Sequence, residues 1–258
     1  MPQTKIVFFV IYGTLIDMQA KKITPKMLET LHRLQDRGIK ICIATGRSPM
    51  VLPKIDGVAF DAYLTFNGSL CYDRKGVIFS NPIPHKDVVR FIQNAAALGR
   101  PVCVSTRDRL AANGTDTDLT DYFFIANEPV PVADDFDAVC AEDIYQLMLG
   151  CRPKDYPALL DGAPGAKIAA WWDRAVDVIP AGGGKGIGIE KMLAYYGLDK
   201  AEALAFGDGN NDREMLQAVG TGVAMENGSP ELKALADEIC GPVYEDGIYH
   251  YCADKGLI

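Results

Sequence analysis

One stretch near the N-terminus decides the fold: KIVFFVIYGTL, residues Lys5–Leu15. Its apolar, β-rich run enters a Gly13-Thr14 break, which predicts a buried strand that ends in a tight loop. In an open α/β sheet, ligands collect beyond the carboxyl ends of the strands. We therefore expect residues that bind or react with a ligand between Val10 and Thr14, yet this segment carries no carboxylate, thiol or imidazole.

Predicted strands and helices alternate after this stretch. Thr24-Pro25 predicts a helix start, because threonine suits the N-cap and proline the first helical position. Lys40–Ala44 is a second apolar run and ends in Thr45-Gly46-Arg47, which completes a strand–helix–strand unit with parallel strands. Ala62–Phe66 is a third strand, broken by Asn67-Gly68, and a hairpin is predicted after it.

The regular alternation of strands and helices is interrupted between a proline-rich junction at 82–84 and a glycine-rich junction at 180–184. Residues 107–121 in this section are polar and lack strong periodicity, while Val88–Leu98 reads as a helix. The predicted strands of the section are Val102–Val104, Ile144–Leu149, Lys167–Trp172 and Val176–Ile179.

The strand–helix rhythm returns after residue 184. Its predicted elements are a helix over Ile187–Tyr196, a strand over Ala203–Phe206, a helix over Asn211–Ala218, a strand over Thr221–Met225 and a helix over Ser229–Ala236. The fold class is therefore α/β, with a Rossmann-like, doubly wound, mostly parallel sheet in a core of residues 1–81 and 184–258. An α+β domain of residues 82–183 is inserted into this core.

Composition narrows the function classes. The chain has 258 residues, 48% of them hydrophobic and 23% charged, as in ordinary globular proteins. A net charge of −8 argues against nucleic-acid or anionic-membrane partners, which call for a basic surface. No apolar run approaches the roughly 20 residues of a membrane span, and no secretory signal is visible. Seven scattered cysteines without a Cys-x-x-Cys pair favour reduced thiols, so a cytoplasmic location is expected.

The strongest chemical signal is Gly207-Asp208-Gly209-Asn210-Asn211-Asp212, at the end of a predicted strand. Two carboxylates four residues apart can hold Mg²⁺, which needs only one or two carboxylates besides water and phosphate oxygens. The alternative is a helix N-cap, because Asp and Asn suit that position and the helix dipole favours negative charge there. Capping does not account for the density of glycine, carboxylate and amide residues, so both interpretations remain open.

Two further residues could bind phosphate. Thr45 offers a hydroxyl at a strand end, and Lys185 offers an ammonium group between glycines at the start of a helix. Each alone has a simpler interpretation, a common Thr-Gly turn and a solvated surface lysine. Known nucleotide motifs do not apply: no Gly-x-Gly-x-x-Gly follows a strand, and Gly186 follows Lys185 where a P-loop has Ser or Thr.

In this order the motifs resemble the haloacid dehalogenase superfamily of phosphohydrolases, specifically its Cof-type (subclass IIB) members with an α+β cap. The resemblance covers essentially the whole chain and includes the closing Glu245-Asp246-Gly247-Ile248. It implies a Mg²⁺-dependent phosphatase of small phosphorylated metabolites, such as sugar phosphates, in which the cap selects the substrate. The implied phosphate- or substrate-binding residues are Thr45, Gly46, Asn67, Lys185 and Asn211. Lys185 is also an implied catalytic residue, which would neutralise the charge of the nucleophile and the phosphate. Asp208 would complete the Mg²⁺ shell, and Asp212 is the second implied metal residue.

The chain departs from the family at the first motif, Asp-x-Asp-Gly-Thr. The family's first Asp attacks phosphorus and the second serves as acid and base, and these positions are Val10 and Tyr12 here. Valine has no lone pair for the attack, and a phenol gives up its proton less readily than a carboxylic acid. The resemblance therefore implies weakened Mg²⁺ affinity and a chain that is inactive or strongly impaired.

Three interpretations of this departure remain open. The chain is a phosphatase that uses another group, such as Asp17 or Tyr12, although Asp17 reads more simply as a loop residue. Alternatively, it is a non-catalytic protein that binds phosphate or another ligand. Aspartate codons also lie one base from those of valine and tyrosine, so two point changes, natural, engineered or erroneous, separate the two motifs. The sequence makes no prediction of the oligomeric state.

Overall fold

The computed structural model describes residues 3–125, 127–170 and 172–258. The strands, numbered in chain order, are β1 (Ile6–Phe9), β2 (Lys40–Ala44), β3 (Ala62–Thr65), β4 (Leu70–Asp73), β5 (Gly76–Ser80), β6 (Cys103–Ser105), β7 (Leu110–Ala112), β8 (Gln146–Gly150), β9 (Ala166–Ala169), β10 (Ala175–Pro180), β11 (Ala203–Gly207), β12 (Thr221–Met225) and β13 (Glu238–Cys240). The α-helices are α1 (Pro25–Asp36), α2 (His85–Ala97), α3 (Thr117–Phe124), α4 (Phe136–Val139), α5 (Tyr156–Leu160), α6 (Lys185–Tyr196), α7 (Arg213–Ala218), α8 (Pro230–Leu235) and α9 (Gly247–Asp254). None of the helices in these ranges combines the length and the apolar character that a membrane-spanning segment needs.

The chain divides into two compact units. The first, here called the core unit, consists of Met1–Gly46, Pro53–Ser80 and Gly184–Ile258, and the second, the inserted unit, consists of Arg47–Leu52 and Asn81–Gly183. The predicted boundaries, with a core of residues 1–81 and 184–258, lie close to this division, which in addition groups Arg47–Leu52 with the inserted unit. After β2 this segment forms a 3₁₀ turn instead of another strand, and the Arg47 guanidinium interacts electrostatically with Tyr122 of the inserted unit.

The core unit contains an eight-stranded sheet in the order β13-β12-β11-β1-β2-β3-β4-β5. Strands β13 to β3 are parallel, and β4 and β5 form an antiparallel hairpin at one edge. This confirms the predicted α/β class with a mostly parallel sheet. All four residues of β1 are buried, because both faces of a parallel sheet are covered.

The inserted unit contains a five-stranded antiparallel sheet in the order β7-β6-β8-β10-β9. One face of the sheet packs on α2 and α5 through a cluster that includes Val104, Leu147, Val178 and Phe91. This arrangement is α+β, as predicted for the insertion. Strand β9 ends earlier than the predicted Lys167–Trp172, and Trp171 lies outside the described residues.

Two elements of the inserted unit, β7 and α3, fall in the stretch that lacked periodicity. Helix α3 begins where the Asp116 side chain accepts a hydrogen bond from the Leu119 N–H at 2.8 Å. Leu119 and Phe123, four residues apart, then pack against Cys103 of β6. The aspartates around this short apolar pair obscured the helical pattern in the sequence.

Candidate functional site

The predicted site residues follow the carboxyl ends of neighbouring parallel strands of the core unit. In the register of β1, Phe9 lies opposite Phe206 of β11 and Ile43 of β2. Val10 therefore leaves the sheet beside the segments that lead to Asp208 on one side and Thr45 on the other. The sheet brings these three chain segments to one edge, where α/β proteins bind ligands.

The loop after β1 lies directly against Asp208. The Thr14 hydroxyl donates a hydrogen bond to Asp208 Oδ1 at 2.6 Å. Gly13 has a φ of +81°, and a Cβ at this position would lie 2.2 Å from Asp208 Oδ2. Only glycine fits here, because L-residues disfavour this backbone conformation and any side chain would collide with the carboxylate.

Lys185 and Asp212 form a buried ion pair, with 1% of each side chain exposed. Lys185 is the first residue of α6, and its Nζ donates a hydrogen bond to Asp212 Oδ1. The second carboxylate oxygen, Oδ2, accepts the backbone N–H groups of Asp208 at 3.0 Å and Gly209 at 2.8 Å. Asp212 therefore fixes the Lys185 ammonium group and the backbone around Asp208 at the same time.

The surroundings of the Asp208 carboxylate disfavour its ionised form. Burial, and next the negative charge of Asp212, raise its pKa to about 6, while the Thr14 hydrogen bond and the Lys185 charge act in the opposite direction. Desolvation and a like charge both disfavour the ionised form. A cation bound beside Asp208 would relieve both effects.

Thr45, Gly46, Asn67 and Asn211 also come together. The Asn67 N–H donates to the Thr45 carbonyl at 3.0 Å, and a Cβ on Gly46 would lie 3.0 Å from the Asn67 amide. Asn211 Nδ2 lies 3.4 Å from Asn67 Oδ1, a long contact. The predicted phosphate-binding residues thus form one cluster at the ends of β2, β3 and β11.

The turn that carries Asn67 is strained. Phe66 and Asn67 have φ values of +50° and +52°, in the left-handed region that residues other than glycine seldom adopt. The next residue, Gly68, has a φ of +91°, and a Cβ there would lie 2.3 Å from the Gly184 carbonyl oxygen. The turn therefore approaches the start of α6 closely, which brings Asn67 and Lys185 to the same part of the site.

Val10 and Tyr12 occupy the loop at the centre of this arrangement but supply no carboxylate. Val10 is half-buried and packs against the apolar cluster of the core sheet. Tyr12 is half-buried and forms an isolated bridge with Ile16. Asp17, the nearest carboxylate along the chain, accepts the N–H groups of Gln19 at 2.8 Å and Ala20 at 2.5 Å and so stabilises its own turn.

Sequence reasoning missed two residues that hold the site together, Thr14 and Asn227. Thr14 belongs to the quoted Gly-Thr break, but its contact with Asp208 spans 194 residues of chain. Asn227 Nδ2 donates to the Gly13 carbonyl at 2.8 Å, across 214 residues. Its signal in the sequence was an Asn-Gly pair shortly after a strand, which by itself indicates only a turn.

Comparisons with known proteins identify the family. A family model described as haloacid dehalogenase-like hydrolase matches residues 7–252. The chain therefore belongs to the haloacid dehalogenase-like hydrolases. It is also 34% identical over 257 residues to YkrA of Bacillus subtilis (strain 168), named as a phosphatase without a stated substrate, and the match covers 99% of each chain.

Solved structures show the same fold across the whole chain. BT1666 from Bacteroides thetaiotaomicron, studied among phosphatases of the superfamily, is similar with a TM-score of 0.92 and 29% identity, over 99% of this chain and 96% of that one. The subclass IIB sugar phosphatase BT4131 is similar with a TM-score of 0.88 and 28% identity, over 99% of this chain and 100% of that one. The match with subclass IIB agrees with the resemblance found in the sequence.

Phosphatases of this superfamily generally use Mg²⁺. No group of three or more His, Cys, Asp or Glu side chains that could hold a metal comes together in the parts of the chain that the structure describes. Asp212 accepts three hydrogen bonds and Asp208 accepts one, from Thr14, so Asp208 keeps more lone pairs for a cation, and the metal roles of both carboxylates stay predictions. Mg²⁺ needs only one or two carboxylates beside water and phosphate oxygens, so the donors present fit this ion, and the weakened affinity stays a prediction.

Proposed function

We propose that this chain binds a small phosphorylated metabolite at the ends of β1, β2, β3 and β11 and does not hydrolyse it through an aspartyl-phosphate. One observation carries the proposal. The charged pair of Lys185 and Asp212 is intact and buried, while the neighbouring loop presents Val10 and Tyr12 where the family has carboxylates.

The binding half of the proposal rests on charge and hydrogen bonding. The Lys185 ammonium group supplies positive charge for phosphate, and Asp212 holds it in place. Thr45, Asn67 and Asn211 lie together and bring hydroxyl and amide groups that suit phosphate oxygens. Asp208 would hold Mg²⁺, which when bound would neutralise charge on the phosphate.

The non-catalytic half of the proposal rests on the loop after β1. In the family's reaction a carboxylate oxygen bonds to phosphorus as the leaving oxygen departs with a proton from the second carboxylic acid. Val10 has no atom that can form this bond. Asp17 is engaged in its own turn, so the structure gives no support to it as a replacement nucleophile.

A Mg²⁺-dependent phosphatase of small metabolites such as sugar phosphates is the second candidate. The intact cluster of Thr45, Lys185, Asp208 and Asp212 favours it. The inserted unit would select its substrate, as the cap does in the family. This candidate needs a nucleophile other than Val10, and Tyr12 is the side chain of the loop that remains for that role.

A paired assay tests the proposal. We expect the unmodified chain to hydrolyse p-nitrophenyl phosphate with Mg²⁺ at the background rate, and the double variant Val10→Asp/Tyr12→Asp to hydrolyse it. Positioned acid–base groups alone contribute about 10²–10⁴-fold, so the double variant should exceed its control by about 10²-fold or more. The gene is resequenced beforehand.

The matched control is Val10→Asn/Tyr12→Asn, which has side chains of the same shape without the carboxylates. Inorganic phosphate binding with Mg²⁺ is measured by calorimetry on the unmodified chain, and we expect saturable binding that Lys185→Met abolishes. Robust turnover by the unmodified chain would favour the second candidate. A folded unmodified chain that binds no phosphate would refute the binding half.

A further inference from the structure

Asn227 connects two backbone segments of the core unit through one side chain. It lies two residues after the end of β12, and its Nδ2 donates to the Gly13 carbonyl at 2.8 Å. Its Oδ1 accepts the Val243 N–H at 2.9 Å. A backbone N–H can only donate and a carbonyl can only accept, so these two contacts define the orientation of the amide.

Packing does not explain this arrangement. The Asn227 side chain is exposed, so it contributes little to the apolar core. Both of its polar ends are nevertheless used, and both bind backbone rather than flexible side chains. Ordering an exposed side chain costs conformational entropy, so contacts of this kind indicate that the position of the bound backbone matters.

The segment around Asn227 also binds the turn after β11, which carries Asp208. The Ser229 N–H donates to the Asp208 carbonyl at 2.9 Å, and a Cβ on Gly228 would lie 2.9 Å from the same oxygen. The turn after β12 thus contacts the Gly13 loop through Asn227 and the Asp208 loop through Ser229. Thr14 joins these two loops to each other.

We infer that Asn227 is a positioning residue that sets the conformation of the Tyr12–Thr14 loop and, through Thr14, the direction of the Asp208 carboxylate. Its two side-chain hydrogen bonds go to the backbone of Gly13 and Val243, so it acts on the phosphate-binding residues through backbone. The consequence for phosphate binding rests on the proposed function, whereas the consequence for the loop does not.

The test is the variant Asn227→Asp. Aspartate keeps an oxygen to accept the Val243 N–H, but it places a second oxygen against the Gly13 carbonyl and removes the donor. Asn210→Asp is the matched control, because Asn210 is exposed and uses Oδ1 to accept from the Ser229 hydroxyl at 2.7 Å, which aspartate can still do. Both variants add one negative charge near Asp208.

Hydrogen exchange by mass spectrometry reads the loop without any ligand. In the present structure the N–H groups of Gly13, Leu15 and Ile16 bond to carbonyls within the loop at 2.8–2.9 Å. We expect Asn227→Asp to speed exchange in residues 11–16 and leave the other strands of the sheet unchanged, and Asn210→Asp to leave residues 11–16 at the unmodified rate. In calorimetry with inorganic phosphate and Mg²⁺, Asn227→Asp should weaken binding about threefold to tenfold relative to Asn210→Asp, the range of one lost hydrogen bond.

Each outcome decides a separate point. Unchanged exchange at residues 11–16 in Asn227→Asp, or faster exchange spread evenly over the core unit, would overturn the positioning role. Faster local exchange in a protein whose unmodified form binds no phosphate would support the positioning role and refute the proposed function. If Asn227→Asp does not fold, Asn227→Ser, which removes both contacts without adding charge, takes its place under the same criteria.

Discussion

At the scale of single residues, the most consequential contact is the buried pair of Lys185 and Asp212. Almost no water reaches either group, so each charge depends on the other and on the two backbone N–H groups that Asp212 accepts. Burial of charges is unfavourable unless they are paired in this way. The pair is present although Val10 and Tyr12 bring no carboxylate to the loop after β1, which is what the proposed anion site requires.

Replacing Asp212 by asparagine should therefore be costly. We expect Asp212→Asn to lower the free energy of unfolding by about 3–5 kcal/mol, because it leaves the Lys185 charge buried without its partner. Urea denaturation followed by circular dichroism measures the change.

The matched control is Glu29→Gln, which breaks the exposed pair of Glu29 and Arg33 one helical turn apart. This control should lose about 0.5 kcal/mol or less, as exposed helical pairs do. Equal losses in the two variants would show that the Lys185 charge is not buried in solution as it is in the structure.

At the scale of elements, the loop after β1 is defined by close approach. Gly13 adopts a left-handed conformation directly against the Asp208 carboxylate, and Thr14 bonds to that carboxylate. The loop and the turn after β11 are therefore in direct contact. A change in either should be felt at the other.

Gly13→Ala should destabilise the protein and disturb Asp208 together. The left-handed conformation alone costs an L-residue about 1–2 kcal/mol, and the new Cβ must also displace Asp208 Oδ2 from 2.2 Å. We expect a loss of more than about 2 kcal/mol in urea denaturation, together with weaker phosphate binding in calorimetry.

Gly38→Ala separates the two effects. Gly38 also has a left-handed φ of +74°, but a Cβ there meets no atom within 4 Å. This control should show the conformational cost of about 1–2 kcal/mol and unchanged phosphate binding. If Gly13→Ala behaved in the same way as Gly38→Ala, the contact between the loop and Asp208 would not be important.

At the scale of the whole molecule, each of the two units has apolar packing of its own. The core unit packs around residues such as Phe8, and the inserted unit around residues such as Phe91, both fully buried. Both tryptophans of the chain, at positions 171 and 172, belong by sequence to the inserted unit. Tryptophan fluorescence therefore reports the inserted unit, whereas circular dichroism reports both units.

Phe91→Ala should destabilise the inserted unit selectively, since removing a buried phenylalanine costs about 3–5 kcal/mol. We expect its fluorescence transition in urea to move below the main transition seen by circular dichroism. Phe8→Ala should instead move the circular dichroism transition below the fluorescence transition. Coincident transitions in both variants would mean that the two units unfold as one.

The sequence by itself determined most strands of the core sheet, including β1, β2, β3, β11 and β12, whereas it missed β7 and β13 and placed the end of β9 too late. Apolar runs such as Lys5–Leu15 are buried because the transfer of apolar surface out of water is favourable. Gly, Asn and Asp interrupt these runs where the backbone turns. These local rules also pointed to Thr45 and Asp208, which follow the parallel strands β2 and β11, and to Lys185 at the start of α6, whose ligand-binding roles stay predictions. They failed for α3, whose short apolar pair is masked by aspartates that Arg100, Arg152 and Arg174 neutralise.

Only the tertiary structure decided which of these ends touch. Thr14 and Asn227 were missed because their partners lie 194 and 214 residues away along the chain. The use of both Asp212 oxygens by Lys185 and the backbone likewise depends on how α6 and the turn after β11 meet. Contacts of this kind arise when the parallel sheet places β1 between β2 and β11, a long-range pairing that no local pattern encodes.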